Sequence, residues 1–263
     1  KNLLIDGINN FCWSAAVLAL QNADGCRRIV YAGNYTYKNL KAVSEDSLFD
    51  LASLSKVLVT TTLIAELLNE QKITLNDKVA DFFPEFLLFN SEEAAYRRQI
   101  TIAHLLAHCS GLLAGFPFYR FSRQKRQDFR NLLFAIKLQY PPGTETVYSD
   151  LGFMLLGEII EHYYNKKLDS LAESLIFKPY KMCNACFNPD YQQRENCIPT
   201  ELRNDIAIPW QGVVHDENAR WLGGVAPQAG LFASANDLCN FAKAYFCRKG
   251  IFATKAYNEL FSE

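Results

Sequence analysis

The apolar positions near the start of the chain fall in two short β-rich runs, Ala15 to Gln21 and Arg28 to Tyr35. Between them stands Asn22-Ala23-Asp24-Gly25, a turn signal in which glycine accepts positive φ, so the pattern predicts a hairpin. From Ser53 the rhythm becomes helical: Leu54, Val57, Leu58, Thr61, Ile64, Ala65 and Leu68 recur at spacings of three and four and stop before Gln71. Ser53 is therefore expected to open a helix. Lys72 to Pro84 reads as a turn and a short helix ended by proline, and Thr101 is expected to cap a helix that Gly111 closes. After the Pro141-Pro142-Gly143 turn, Asp150 can cap a helix running through Leu151, Met154, Leu155 and Ile159. Pro179 to Pro209 carries few periodic signals and reads as loop. A Gly-rich segment after Gly223 leads into a helix from about Asn236 to Phe246, with Asn236 or Ser234 as its cap.

No internal repeat or low-complexity linker divides the sequence, so any division must be a lobe inserted into a lobe. With 263 residues and 49% hydrophobic content, the chain can bury a large core. Its net charge of -1 supplies no field for gathering polyanions, which argues against nucleic acid as a partner. The one basic run, Arg120 to Arg130, reads as a solvated face. No apolar stretch reaches the roughly 18 residues of a membrane-spanning helix. The first residue is Lys1 rather than Met, which implies a trimmed or processed chain and leaves the compartment open. Eight cysteines are too sparse for a disulfide-built scaffold. Cys183 and Cys186 form a lone CxxC, half a zinc site only if Cys197 and a fourth ligand joined in; plain thiols are the simpler expectation.

Ser53-Leu54-Ser55-Lys56 brings the first candidate chemistry. At a helix start, the i, i+3 spacing puts Ser53 and Lys56 on one face, where a hydroxyl and an amine can share a proton. A serine hydroxyl is inert until something removes its proton, and an amine does so only where its surroundings disfavour its charge. The dipole at the helix start and the Ser53 amide both favour negative charge at an attacked carbonyl. Alone, SxxK is equally an N-cap serine with a surface lysine. Tyr148-Ser149-Asp150 forms a second cluster on a constrained loop, where a tyrosine can relay a proton; Asp150 either caps the following helix or orients Lys56, and capping is the simpler role. His104 and His108 have the spacing of a metal pair but lack the Glu of HExxH. His215-Asp216 hints at a triad, yet no GxSxG elbow supplies its serine.

Read together, these segments resemble the serine β-lactamase-like family of class C β-lactamases, penicillin-binding DD-peptidases and related esterases. Phe49 to Lys56 (FDLASLSK) is similar to the family's FDLASLTK block, and Leu105 to Gly111 (LLAHCSG) to its LLTHTSG segment. Pro142 to Glu158 is similar to PGT...YSNxGxxLLG, while Val214 to Ala219 (VHDENA) and Gly230-Leu231-Phe232 resemble the VHDENA and AGLFST blocks. The resemblance implies that Ser53 is acylated, that Lys56 and Tyr148 exchange protons, and that Asp150 stands where relatives have Asn. Pro227-Gln228 stand where relatives often have Gly-His, a change expected to alter a loop near the cleft without touching a catalytic group. Relatives also carry a last KTG- or HTG-type motif on an edge strand that supplies a second oxyanion amide, and this sequence stops at Glu263 without it. Losing such a donor costs roughly a hundred- to a thousand-fold in rate, and the open sheet edge invites a partner, including a second copy of the chain.

The expected fold is thus a two-lobe α+β architecture, an antiparallel sheet flanked by helices plus a helical lobe, with the C-terminal strands missing. Residues 1–71 and 205–263 would form the sheet lobe around the nucleophile helix, and 72–204 the helical lobe. The expected site is Ser53, Lys56, Tyr148 and Asp150, with no metal and no organic cofactor. The expected reaction is acyl transfer from an amide, β-lactam or ester to Ser53 and then to water. A cell-wall DD-peptidase or transpeptidase, or a module of the same fold that only binds, are the alternatives. Small acyl or peptide substrates are the implied partners, and the resemblance favours a periplasmic or exported location.

Overall fold

The β-rich runs pair as the pattern asks. A computed structural model describes residues 1–22, 24–88, 93–121, 126–201 and 210–260. Helix α1 Asn2–Asn9 leads into β1 Ala15–Gln21 and β2 Arg27–Gly33, an antiparallel hairpin with Ala15 opposite Gly33 and Gln21 opposite Arg27. Asn22 closes the turn, its side chain accepting the Cys26 amide at 2.7 Å, and Gly25 takes φ +86°. Ala23, part of the predicted turn, lies outside the described residues. A second sheet joins distant segments: β3 Phe49–Asp50, β4 Cys186–Phe187 and β5 Leu231–Ala233, with β5 in the middle and antiparallel to both.

Ser53 lies in the turn before its helix rather than inside it. The helix begins at Leu54 and Ser55, passes through a π-wound segment, Lys56–Thr61, and continues as α2 Thr62–Asn69. This winding alters the expected face. Leu58, Ile64 and Ala65 are buried as the spacing predicts, but Leu54 and Val57 are half exposed, and Val59, Leu63 and Leu67 pack inward as well. A π turn holds more residues than an α turn, so it rotates the apolar stripe out of the 3.6-residue register.

Lys72 to Pro84 forms the expected turn and short helix, α3 Val79–Phe82, and α4 Ala94–Arg97 follows. Thr101 caps α5 Ile102–Leu106, its Oγ1 accepting the His104 amide at 3.2 Å. Gly111 does not close this helix. His108 takes the left-handed position at φ +56°, with its amide on Leu105 O and the Cys109 amide on His104 O, the bonding that usually places glycine there. Gly111 turns separately at φ +84°, where a side chain would meet the Tyr140 carbonyl. Within the basic run, residues 122–125 lie outside the described residues. The end of the run is no solvated face: α6 Arg126–Ala135 carries Arg130, whose Nε donates to buried Glu158 at 2.9 Å.

Helix α7 Asp150–Tyr164 is buried from Leu151 to Ile160 and forms the centre of the main apolar core, with α2, α5, Phe83 and Phe134 packed around it. Its cap is Ser149, whose Oγ accepts the Gly152 amide at 3.2 Å, and not Asp150, which is the first helical residue. Beyond α8 Leu168–Ala172, the stretch from Pro179 is largely irregular apart from β4 and α9 Tyr191–Arg194; residues 202–209, including the predicted lobe boundary at 204, lie outside the described residues. Asp216 caps α10 Glu217–Trp221, and Ser234, rather than Asn236, caps α11 Ala235–Phe246 before α12 Lys255–Glu259. All eight cysteines are free thiols. Burial above all pushes Cys186 and Cys197 up to about 12, so neither is a thiolate near neutral pH. No helix among the described residues is long and apolar enough to cross a membrane.

Candidate active site

A strained approach presents Ser53. The chain leaves β3 at Asp50, and Ala52 takes φ +46°, a left-handed conformation that residues with a Cβ seldom adopt. Asp50 stabilises it: one carboxylate oxygen accepts the Ala52 amide at 2.8 Å and the other the His215 amide at 2.7 Å. Ser55 ties the helix start to the sheet, its Oγ donating to Ala52 O at 2.7 Å and accepting the Leu231 amide at 3.1 Å. The Ser53 side chain is exposed, and its amide meets no acceptor among the described residues. That N–H is free to donate to a developing oxyanion.

Lys56 is 3% exposed, and three acceptors surround its ammonium. Nζ lies 3.0 Å from Ser53 Oγ, 3.0 Å from the Gln228 carbonyl oxygen and 2.6 Å from Asp150 Oδ1. The Asp150 approach lacks the angles of a hydrogen bond, so that contact is charge against charge. It gives a physical reason for the cap found at Ser149: the Asp150 carboxylate turns to Lys56 instead of back to the helix amides. The Tyr148 ring centroid lies 4.8 Å from Nζ. Tyr148 is half exposed, and its hydroxyl has no partner among the described residues. All four residues singled out in the sequence, Ser53, Lys56, Tyr148 and Asp150, therefore converge on one ammonium group. A proton leaving Lys56 would open the 3.0 Å path for the Ser53 proton to follow.

Sequence reasoning missed three contributors. Asp50 sets the strained entry just described. Gln228, expected to touch no catalytic group, supplies the carbonyl that Lys56 donates to, while its neighbour Pro227 accepts from Thr60 Oγ1 at 2.7 Å. Both contacts are made by backbone, which residue type does not reveal. His108, weighed only as a metal ligand, packs its ring 4.5 Å from that of Tyr148 and accepts the Ser149 amide on Nδ1 at 3.0 Å. His104 stays at the start of α5 with Thr101, and His215 Nε2 contacts Glu201 at 2.9 Å, so neither joins the cluster.

Gly157 positions the Gln228 carbonyl from behind. A methyl group there would stand 2.5 Å from Pro227 Cγ, too close for any real contact. Gly157→Ala is expected to cost about 1–3 kcal/mol by overpacking and to shift the 227–228 backbone away from Lys56. Thermal unfolding checks this, and an unchanged melting point would contradict it.

The cluster opens onto the surface. Three large grooves, of about 710, 660 and 550 Å³, are lined by other residues, Trp13 and Tyr37, Val17 and Leu238, and Phe177 and Met182 among them.

Known proteins resemble this chain in sequence and in fold. The family model described as Beta-lactamase matches residues 19–260. An N-acetylmuramyl-L-alanine amidase of Bacillus subtilis (strain 168) is 30% identical over 228 residues, covering 79% of this chain and 52% of the relative. A class C β-lactamase from Rhodobacter sphaeroides superposes with a TM-score of 0.77 at 17% identity, covering 98% of this chain and 68% of that one. A D-alanine carboxypeptidase from Burkholderia cenocepacia gives 0.74 at 20% identity, covering 98% and 66%. The two-lobe β-lactamase fold is therefore this chain's fold. The chain spans about half the length of the curated relatives it matches.

Proposed function

Because the chain belongs to the Beta-lactamase family, we propose that it is a serine hydrolase acting by acyl transfer on an amide, β-lactam or ester. The observation that carries this reading is the 3.0 Å contact between the exposed Ser53 Oγ and the buried Lys56 Nζ, made beside Tyr148 and Asp150. In the first step Lys56 gives a proton to the Asp150 carboxylate 2.6 Å away, and the resulting free amine takes the Ser53 proton as Oγ attacks the acyl carbonyl. The tetrahedral oxyanion draws on the Ser53 amide, and collapse expels the leaving group with a proton returned from Lys56 or Tyr148. Water then repeats the sequence against the ester of Ser53 and releases the acid. Asp150, in place of the relatives' Asn, holds the Lys56 side chain in place and takes its proton before each attack. No step calls for a metal or an organic cofactor.

A second reading, a peptidase acting on D-alanyl peptides, draws support from the names of two similar proteins, the putative D-alanyl-D-alanine carboxypeptidase of Escherichia coli (strain K12) and the D-alanine carboxypeptidase of B. cenocepacia. Intact mass spectrometry after incubation with a fluorophosphonate and, separately, a penicillin tests both. A single adduct lost in Ser53→Ala is expected. Rapid decay of the penicillin adduct selects the hydrolase, and persistence selects the peptidase. No adduct on folded protein, or an adduct on another residue, would remove the assignment and leave a binding module of the same fold.

A further inference from the structure

We propose that His108 is a positioning residue for Tyr148, a neutral imidazole that stacks on the phenol ring, anchors the adjoining Ser149 amide, and so holds the phenol beside Lys56. The proposal deepens the acyl-transfer reading, resting on Tyr148 as a proton carrier in that reaction.

Tyr148 needs such a support. Its side chain is half exposed and its hydroxyl is unbonded within the described residues, so its other observed restraints are its chain neighbours and the ammonium 4.8 Å from its ring. The His108 ring lies 4.5 Å from the Tyr148 ring at 37° and 5.2 Å from Phe153 at 32°, so it bridges the phenol to a ring embedded in the core. Two bonds then fix the strand of chain that carries Tyr148: the Val147 amide donates to the His108 carbonyl at 2.9 Å, and the Ser149 amide donates to His108 Nδ1 at 3.0 Å. The residues on both sides of Tyr148 are thus held by one histidine.

The backbone supports the same reading. His108 occupies the left-handed position at the end of α5, where glycine is the usual choice and a ring brings steric cost. In return, that conformation swings the imidazole toward α7 and Tyr148. An amide donor on Nδ1 requires that nitrogen to be unprotonated, which places the proton on Nε2 and leaves the ring neutral. The titratable groups facing His108 are Lys56 from the π-wound segment, Asp150 from α7 and Tyr148 from the loop before it. Burial first and the Lys56 charge second hold the imidazole below its ordinary value, with Asp150 acting in the opposite sense. Protonation at lower pH would turn Nδ1 into a donor facing the Ser149 N–H and set a second cation beside Lys56. The support is therefore present at neutral pH and lost as pH falls through the lowered value.

The test pairs a titration with a mutant cycle. In ¹⁵N-histidine spectra of the whole chain, with His108 assigned through His108→Asn, the expected resonances are an unprotonated Nδ1 at pH 7 and a midpoint below about 6.5. His108→Asn tolerates the left-handed backbone and keeps an acceptor but loses the ring. It is expected to lower kcat for an activated ester about ten- to a hundred-fold with KM little changed. In a Tyr148→Phe background the same substitution should cost almost nothing further, because His108 acts through Tyr148. A midpoint at or above about 6.5, a wild-type kcat in His108→Asn, or an equal loss in both backgrounds would each overturn the proposal. Failure of Ser53 to label would instead strike the acyl-transfer reading, while the titration would still decide whether His108 is the neutral support described.

Discussion

Ser53→Ala is expected to abolish the covalent adduct and to lower ester or amide turnover by roughly 10⁴- to 10⁶-fold, the loss typical when a catalytic unit loses its nucleophile. Nothing within the cluster can replace it: Lys56 Nζ is buried against three acceptors, and Tyr148 meets the ammonium through its ring. Lys56→Ala should cost nearly as much in turnover, since the pair acts as a unit and its effects do not add. Its effect on folding should be far smaller. The carboxylate left behind at Asp150 is 28% exposed and can be solvated, so the usual penalty for stranding a buried charge is largely absent. Turnover of an activated ester, measured beside circular dichroism, separates the two effects. Ser53→Ala retaining as much as a tenth of wild-type turnover would refute the role of Ser53.

Arg97→Met is expected to give the largest loss of stability, about 3–5 kcal/mol, with a drop of roughly 10 °C in the melting point. Arg97 is fully buried, yet its guanidinium is spent almost wholly on backbone. Nη1 donates to Phe134 O at 2.7 Å and Phe86 O at 3.3 Å, and Nη2 to Ile136 O at 2.5 Å, with Glu93 Oε2 at 3.4 Å. Phe134 lies in the last turn of α6 and Ile136 just beyond it, so a cation there meets the carbonyl end of the helix and its dipole together. The guanidinium also covers the Phe86 ring at 4.7 Å. Methionine preserves volume but strands three buried acceptors, each costing about 1–3 kcal/mol. Arg97→Lys should not rescue the protein, because one ammonium cannot span the planar fork. A melting point within about 2 °C of wild type would show that water or relaxation satisfies these carbonyls.

Arg97 also shows where sequence reading stops. Its surroundings, Tyr96-Arg97-Arg98, look like any charged helix end, and nothing local distinguishes the buried arginine from its exposed neighbour. The same holds within the site. Ser53 and Lys56 were legible because a short spacing near a helix start brings them together whatever the rest of the chain does. Tyr148 and Asp150 were legible as a pattern, but the function of Asp150 was not, since a carboxylate at a helix start can turn to the amides or to a distant cation with equal local sense.

What the sequence determined by itself is therefore the short-range content: the hairpin and its glycine turn, the Thr101 cap, the closeness of Ser53 and Lys56, the helices whose apolar spacing survives, and membership of a family through ordered blocks. What only the tertiary structure decided is which groups face Lys56. The Gln228 carbonyl comes from 172 residues away in sequence, and the contact is made by backbone. Asp150 reaches Lys56 from another helix, and His108 reaches Tyr148 by a left-handed residue where Gly111 had been expected to end α5. The physical reason is that hydrogen bonds within a turn depend on neighbours that covalent geometry already holds close. The partners of a buried charge depend on how helices and sheet pack, and a chain read in order does not display that.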